Sequence, residues 1–91
     1  MVYIPPFWIH TRALLQHRET RRVRFVHRFD GLGSGPENRY VILTDPEDGT
    51  DEWLSCSTVI AEWEKTGKMI PMSQVLTLEW KQEVNNAKKD R

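Results

Sequence analysis

The side chains best suited to metal binding or nucleophilic chemistry are three histidines and one cysteine: His10, His17, His27 and Cys56. The histidines are seven and ten residues apart, and the cysteine lies far along the chain. A structural zinc site instead pairs its ligands at short spacings such as C-x-x-C. Nothing near Cys56 in the sequence would activate a thiolate. The pattern therefore predicts no metal site and no cofactor.

Carboxylates are concentrated in TDPEDGTDE, residues 44–52. Their spacing does not match a calcium-binding EF-hand loop. A pair of these acids could also serve in hydrolysis, but a solvated, acidic hairpin tip is the simpler interpretation. We therefore expect a protein that is not an enzyme.

The charge of the chain is balanced overall but unevenly distributed. Residues 1–41 carry seven arginines and three acidic residues, a net charge of +4, and the remainder carries −4. Such asymmetry either marks one face for an anionic partner or lets two oppositely charged parts attract each other within one fold. Both interpretations remain open from the sequence.

The composition, 38% hydrophobic and 29% charged, is that of an ordinary globular chain. No apolar run approaches the roughly 18 residues of a membrane span, which predicts no membrane partner. The start MVYIPPFWIHTR lacks the pattern of a signal peptide. Together with the single cysteine, this predicts a cytosolic or nuclear protein.

Alternation of apolar and polar residues predicts three strands. RYVILTD and DEWLSCS are the second and third, joined by the turn PEDG, and the loop GLGSGPEN precedes them. The first strand is VRFVHRFD. One of its predicted faces holds Val23, Phe25, His27 and Phe29, and the other holds Arg22, Arg24, Val26 and Arg28.

The helix predicted most clearly is TVIAEWEKTG. Its apolar residues fall on one stripe, Ser57 or Thr58 is the expected N-cap, and Gly67 is the expected C-cap. The apolar residues of SQVLTLEWKQEVNNAKKDR recur every four positions, which favours a second helix capped by Ser73, although alternation in its first half also fits a strand. Its end, NNAKKDR, is expected to fray.

The N-terminal part is less regular. MVYIPPFWI reads as an apolar arm that its aromatic residues pack on the core, or that docks on a partner. TRALLQHRET fits either a short helix or a strand with a bulge. We predict one α+β domain: a small, bent antiparallel sheet with flanking helices, for which an SH3-like barrel is the form implied by the resemblance described below. Its parts are an arm with a possible short helix (1–20), a β unit plus helix (21–67) and a helical C-terminal segment with a frayed end (68–91).

Surface recognition remains as the activity to expect. Arginines beside aromatic residues suit phosphate contact and base stacking, and the candidates for nucleic-acid binding are Arg21, Arg22, Arg24 and Arg28. Phe25 and Phe29 are interleaved with them. The alternative is that the aromatic rings face the core and the arginines face solvent.

The stretches VRFVHRFD, RYVILTD and DGTDEWLSCSTVI resemble the chromo-barrel, chromodomain and Tudor group of small SH3-like barrels. The similarity covers residues 21–67 and rests mainly on the D-E-W-L stretch that begins at Asp51. This resemblance implies an SH3-like barrel that serves as a binding module. Many members of the group bind methylated lysine in an aromatic cage. The candidate ligand-binding aromatics that it implies are Tyr40, Trp53, Phe25 and Phe29.

We therefore expect a non-enzymatic interaction module that binds a protein segment. One alternative is a nucleic-acid-binding protein that uses the arginine-rich strand. Others are a small phage or mobile-element regulator or inhibitor of a larger enzyme, and a homodimeric accessory subunit. An exposed Trp63 or Trp80 on a helix would favour self-association.

Overall fold

A computed structural model describes the backbone of residues 1–89 and the side chains of residues 1–81 and of Glu83. Within it, five strands and two helices confirm the expected α+β class. The strands are β1 (Ala13–His17), β2 (Val23–Asp30), β3 (Tyr40–Thr44), β4 (Asp51–Ser55) and β5 (Trp63–Met69), and the helices are α1 (Cys56–Glu62) and α2 (Met72–Lys89).

The strands form one antiparallel sheet in the order β4-β3-β2-β1-β5. The first four follow one another as a meander, and β5 returns to pair with β1. In the described part of the chain, β4 and β5 are the two edges and do not pair with each other. The sheet is therefore open and not a closed barrel.

The segment TRALLQHRET forms β1 and not a helix. Ala13 and Leu15 point to one side of the sheet and Leu14 to the other, which is the period of a strand. The turn that follows is closed by His17, whose Nδ1 accepts hydrogen bonds from the backbone N–H groups of Glu19 and Thr20, each 3.2 Å long. β1 is then an interior strand of the sheet, between β2 and β5, instead of part of a separate arm.

The prediction that α1 extends to Gly67 is wrong. The helix ends at Glu62, and Trp63 is extended, with φ −116° and ψ 156°. Pairing of Trp63 with His17 and burial of its indole in the core outweigh the helix propensity of the residues that follow. Gly67 lies within β5, at φ 77°.

Short polar side chains set the two ends of β4. In the turn before it, an Asp45 oxygen accepts two backbone N–H groups, and Gly49 has φ 75°, as the predicted turn requires. After β4, the N-cap of α1 is Ser55, which accepts a hydrogen bond from the N–H of Thr58, 3.2 Å long. The cap therefore comes earlier than the predicted Ser57 or Thr58.

The sheet separates two hydrophobic clusters. The α1 side, covered by α1 and by the N-terminal arm, holds Ile9, Ala13, Leu15, Val26, Val41, Leu43, Cys56, Val59 and Trp63. Tyr3 and Trp8 of the arm pack against this cluster, as one of the two interpretations of the arm predicts, but Phe7 is exposed. The α2 side holds the smaller cluster of Phe25, Ile70, Val75 and Leu78, with Leu14 packed on it.

A bulge in β2 reverses the predicted face of Phe29. The register with β3 shifts between Val26 and Arg28, so that His27 is an extra residue. Phe25 therefore faces the α2 side, but Phe29 packs on the α1-side cluster. The prediction that the two phenylalanines share one face is wrong.

The second segment with mixed periodicity is a helix, α2, which begins at Met72. Two side-chain hydrogen bonds connect its described residues to distant parts of the chain: Gln74 Nε2 donates to the carbonyl of Pro46, 3.1 Å, and Glu79 Oε1 lies 2.8 Å from His27 Nε2. Of the fraying predicted for 85–91, residues 90 and 91 lie outside the described part. Within the described residues, no helix combines the length and apolar character needed to cross a membrane.

Candidate binding site

Arg24, one of the four candidate arginines, is buried. Its side chain reaches from β2 across β3. Nη1 then donates a hydrogen bond of 2.9 Å to the carbonyl of Thr50, the residue before β4. Its Nε lies 3.5 Å from Oε2 of Glu52 on β4. With 8% of its surface exposed, Arg24 ties the strands together and is not available to a ligand.

The other three arginines do not form one patch. Arg21, in the turn before β2, lies 3.3 Å from Glu64 on β5, and Arg22 lies 3.7 Å from the carboxylate of Glu52. Arg28 is exposed and has no ion-pair partner among the described side chains. The basic first part and the acidic remainder are therefore joined by ion pairs, which supports the internal interpretation of the charge asymmetry.

The four candidate aromatics also separate. Phe25 is buried beneath α2, and Phe29 lies on the α1 side, where the Arg39 guanidinium stands 5.4 Å from the centre of its ring. Tyr40 and Trp53 remain on the α2 side, 38% and 55% exposed. The structure thus brings two of the four predicted rings to one surface.

Register places Arg28 beside these two rings. Ile42 of β3 pairs with Arg28 on β2 and with Trp53 on β4, so these three residues form one row across the sheet. Tyr40 lies on the same face, two residues from Ile42 along β3. We call this surface the sheet patch: Arg28, Tyr40, Ile42 and Trp53. Ile42 is fully buried and forms its floor.

The sheet patch reaches a free edge. In the described part of the chain, β4 pairs only with β3, so its outer backbone N–H and C=O groups face no strand. An extended chain that paired with this edge would lay alternate side chains against Trp53. The patch thus offers aromatic surface, one arginine and backbone hydrogen bonds together.

Of the groups that were considered for catalysis, the cysteine is buried and several carboxylates are hydrogen-bonded within the fold. Cys56 is fully buried, and this burial raises the pKa of its thiol, which is therefore protonated near neutral pH. In the acidic turn, the N–H and hydroxyl of Thr50 donate to Asp48 and lower the pKa of that carboxyl. No three histidine, cysteine or acidic side chains of the described residues lie together as metal ligands would.

Sequence reasoning missed another surface, a concave one at a bulge in β5. Ala13 pairs with Met69 and Leu15 with Lys65, so three residues of β5 lie opposite one residue of β1. Gly67 is the middle residue of the three. An isolated glycine within a strand pattern signals a bulge, but the glycine fitted equally well as a helix C-cap, and that assignment concealed it.

Comparisons of the chain with protein-family models, with curated proteins and with solved structures found no match in any of the three. The resemblance of residues 21–67 to the chromodomain and Tudor group therefore stays a hypothesis, based on the sequence stretches that suggested it.

Proposed function

We propose that the protein is a non-enzymatic interaction module that binds an extended protein segment at the sheet patch. The observation that carries the proposal is the exposure of Trp53 beside Tyr40 and Arg28 on one face of the sheet. Tryptophan, tyrosine and arginine are the residues most enriched among those that dominate binding energy at protein interfaces.

The mode of binding follows from the position of Trp53 on an edge strand. The backbone of the bound segment pairs with β4, and one of its side chains packs on the indole. Adjacent strands lie about 4.8 Å apart, and Arg28 and Trp53 are two strands apart in the same row. Their backbone positions are therefore separated by about 10 Å. That width accommodates one or two ligand side chains, with the guanidinium at the far border.

A methylated lysine is the first side chain to test on this surface. Tyr40 and Trp53 supply two ring faces of the kind that attract such cations, whereas Phe25 and Phe29 lie elsewhere. We also propose that the fold is related to the SH3-like barrels. The adjacency of β1 and β5 and the short helix after β4 support it.

The test is partner capture on the immobilised protein, with mass identification of what is retained. We expect Trp53→Ala to weaken retention about 30-fold, the effect of losing a binding hot spot, and Tyr40→Ala to weaken it less. The matched control is Trp80→Ala, because Trp80 is equally exposed but lies on α2.

The salt dependence of retention distinguishes nucleic-acid binding from binding of a protein segment at the sheet patch. A partner held mainly by phosphate contacts would be released steeply as salt rises and would be insensitive to Trp53→Ala. That result would refute the proposal. Retained binding that depends on Trp53 and changes little with salt supports it. A regulator of a larger enzyme would be recognised by the identity of the captured protein.

The second candidate is a homodimeric accessory subunit, and one observation favours it. Met72, Leu76 and Trp80 are exposed at four-residue intervals along α2, which makes one apolar stripe. Trp63, the other tryptophan considered for self-association, is only 1% exposed. Light scattering of the wild type and of Trp80→Glu tests this candidate: a dimer that Trp80→Glu converts to a monomer supports it, and a monomeric wild type excludes it.

A further inference from the structure

The bulge in β5 lies between two hollows. The first, of about 350 Å³, is lined in part by Phe7, Met69 and Lys65. The second, of about 480 Å³, is lined in part by Val23 and Gln16. Leu14 and Lys68 line both hollows. We call these two hollows together the bulge groove.

Hydrogen bonds shape the bulge and leave its outer side open. The hydroxyl of Thr66 donates to the carbonyl of Leu14, 2.7 Å, and accepts from the N–H of Lys68, 3.1 Å. Gly67 has φ 77°, and a Cβ placed on it would meet nothing within 4 Å. The backbone is therefore bowed away from β1, with open space beside it at the edge of the sheet.

Part of the lining of the bulge groove is apolar. Phe7 is 82% exposed, and Met69 and Val23 are partly exposed, so these side chains face solvent without covering one another. β5 is an edge strand in the described part of the chain, paired only with β1. An added strand on such an edge places alternate side chains into hollows of this kind.

The ionisable side chains that line the bulge groove are all basic. Lys65, Lys68 and His10 line it, and no carboxylate does. The ammonium of Lys65 is held 5.5 Å from the centre of the Phe7 ring, and Lys68 has no ion-pair partner among the described side chains. Glu64, the nearest acid on β5, is engaged by Arg21 at 3.3 Å.

We infer that the bulge groove is a second binding site, which takes an acidic, extended segment of a partner protein. The lysines select acidic residues, the hollows accept apolar side chains between them, and the free edge of β5 pairs with the backbone of the segment. Nucleic acid is less suited, because the apolar side chains that line the hollows offer a phosphate backbone neither charge nor hydrogen-bond donors. The site lies at the opposite edge of the sheet from β4 and does not depend on the sheet patch.

The experiment is a titration of the ¹⁵N-labelled full chain, followed by amide chemical shifts. The probe is a short capped peptide of alternating glutamate and valine. We expect its shifts to concentrate at Thr66, Gly67 and Lys68, and Lys68→Glu to weaken binding about fivefold or more. The control Lys81→Glu makes the same change of charge on α2 and should bind as the wild type does.

Three outcomes would overturn the inference. One is the absence of shifts at the bulge, which would leave the lysines as protection of an edge strand against aggregation. Another is equal binding of a lysine–valine peptide. The third is that a short single-stranded oligonucleotide shifts these amides while the acidic peptide does not. Because Trp53→Ala leaves this site intact, it should bind the peptide normally, which separates this test from that of the sheet patch.

Discussion

The two sides of the sheet use tryptophan in opposite ways. On the α1 side, Trp63 is 1% exposed and completes a cluster that α1 and the N-terminal arm cover. On the α2 side, Trp53 is 55% exposed: the described part of α2 packs near Phe25 and leaves this indole uncovered. One side therefore buries its tryptophan in the core, and the other leaves its tryptophan exposed, as our proposal for the sheet patch requires.

The difference extends to how firmly the two helices are held. α1 contributes Val59 to the larger cluster and is capped by Ser55. Of the described side chains of α2, Val75 and Leu78 are buried, and the rest are exposed. Since burying one such side chain contributes about 1.5–3 kcal/mol, we expect α2 to open locally at a lower free energy than the sheet unfolds.

The largest effect is expected for Trp63→Ala. Removal of this buried indole should lower the free energy of unfolding by about 3–5 kcal/mol, since it deletes packing and leaves a cavity. Urea denaturation measures it, with Trp80→Ala as the exposed control, which should stay within about 1 kcal/mol of the wild type. Equal losses in both variants would remove the contrast between core and surface tryptophans.

Leu78→Ala should act on one side of the sheet alone. We expect a loss of about 2 kcal/mol, at the lower end for buried leucine, expressed mainly as faster amide hydrogen exchange in α2. Hydrogen exchange read by mass spectrometry resolves the two sides. If the amides of β2 and β3 accelerated as much as those of α2, the helix would be an integral part of one cooperative core.

The ion pair between the buried Arg24 and the partly exposed Glu52 gives a smaller and more specific effect. Glu52→Gln leaves the Arg24 guanidinium without its carboxylate, and we expect a cost of about 1–3 kcal/mol. The double variant Arg24→Met, Glu52→Met should be less destabilised than the sum of the single changes, because no charge is then left unpaired. Strict additivity in denaturation would show that the two side chains act independently.

The smallest effect concerns the pKa of Cys56. Burial raises this pKa in the folded protein, so above the ordinary thiol value of 9.0 the unfolded chain loses a proton that the folded chain keeps. The cysteine contribution is therefore constant below that pH and destabilising above it. Denaturation of the wild type and of Cys56→Ala at pH 8 and about pH 10 isolates it. An identical pH dependence in both would contradict a buried thiol.

Local patterns were sufficient for β3, for the turn before β4 and for the helical character of α2. The predicted strand RYVILTD contains β3, Tyr40–Thr44. The bulges were not predictable from period two, because an extra residue reverses the faces without leaving a period of its own. For that reason Phe29 was assigned to the wrong face. The end of α1 depended on a distant partner, His17, which no local pattern contains.

The candidate site was predictable only in part for the same reason. The resemblance implied Tyr40 and Trp53 as candidate binding aromatics, and the register places them on one face of the sheet. It could not separate Arg28 from Arg24, because their roles depend on the bulge between them and on the carboxylate of Glu52 two strands away. The bulge groove depends on pairing between β1 and β5, which are far apart in sequence.

The most direct measurement compares Trp53→Ala with the wild type in two ways: affinity for the captured partner, and the free energy of unfolding. We predict that affinity falls at least about tenfold, while the free energy of unfolding changes by less than about 1 kcal/mol. Unchanged affinity together with a loss of several kcal/mol in stability would show that Trp53 belongs to the core and that the sheet patch is not a binding surface.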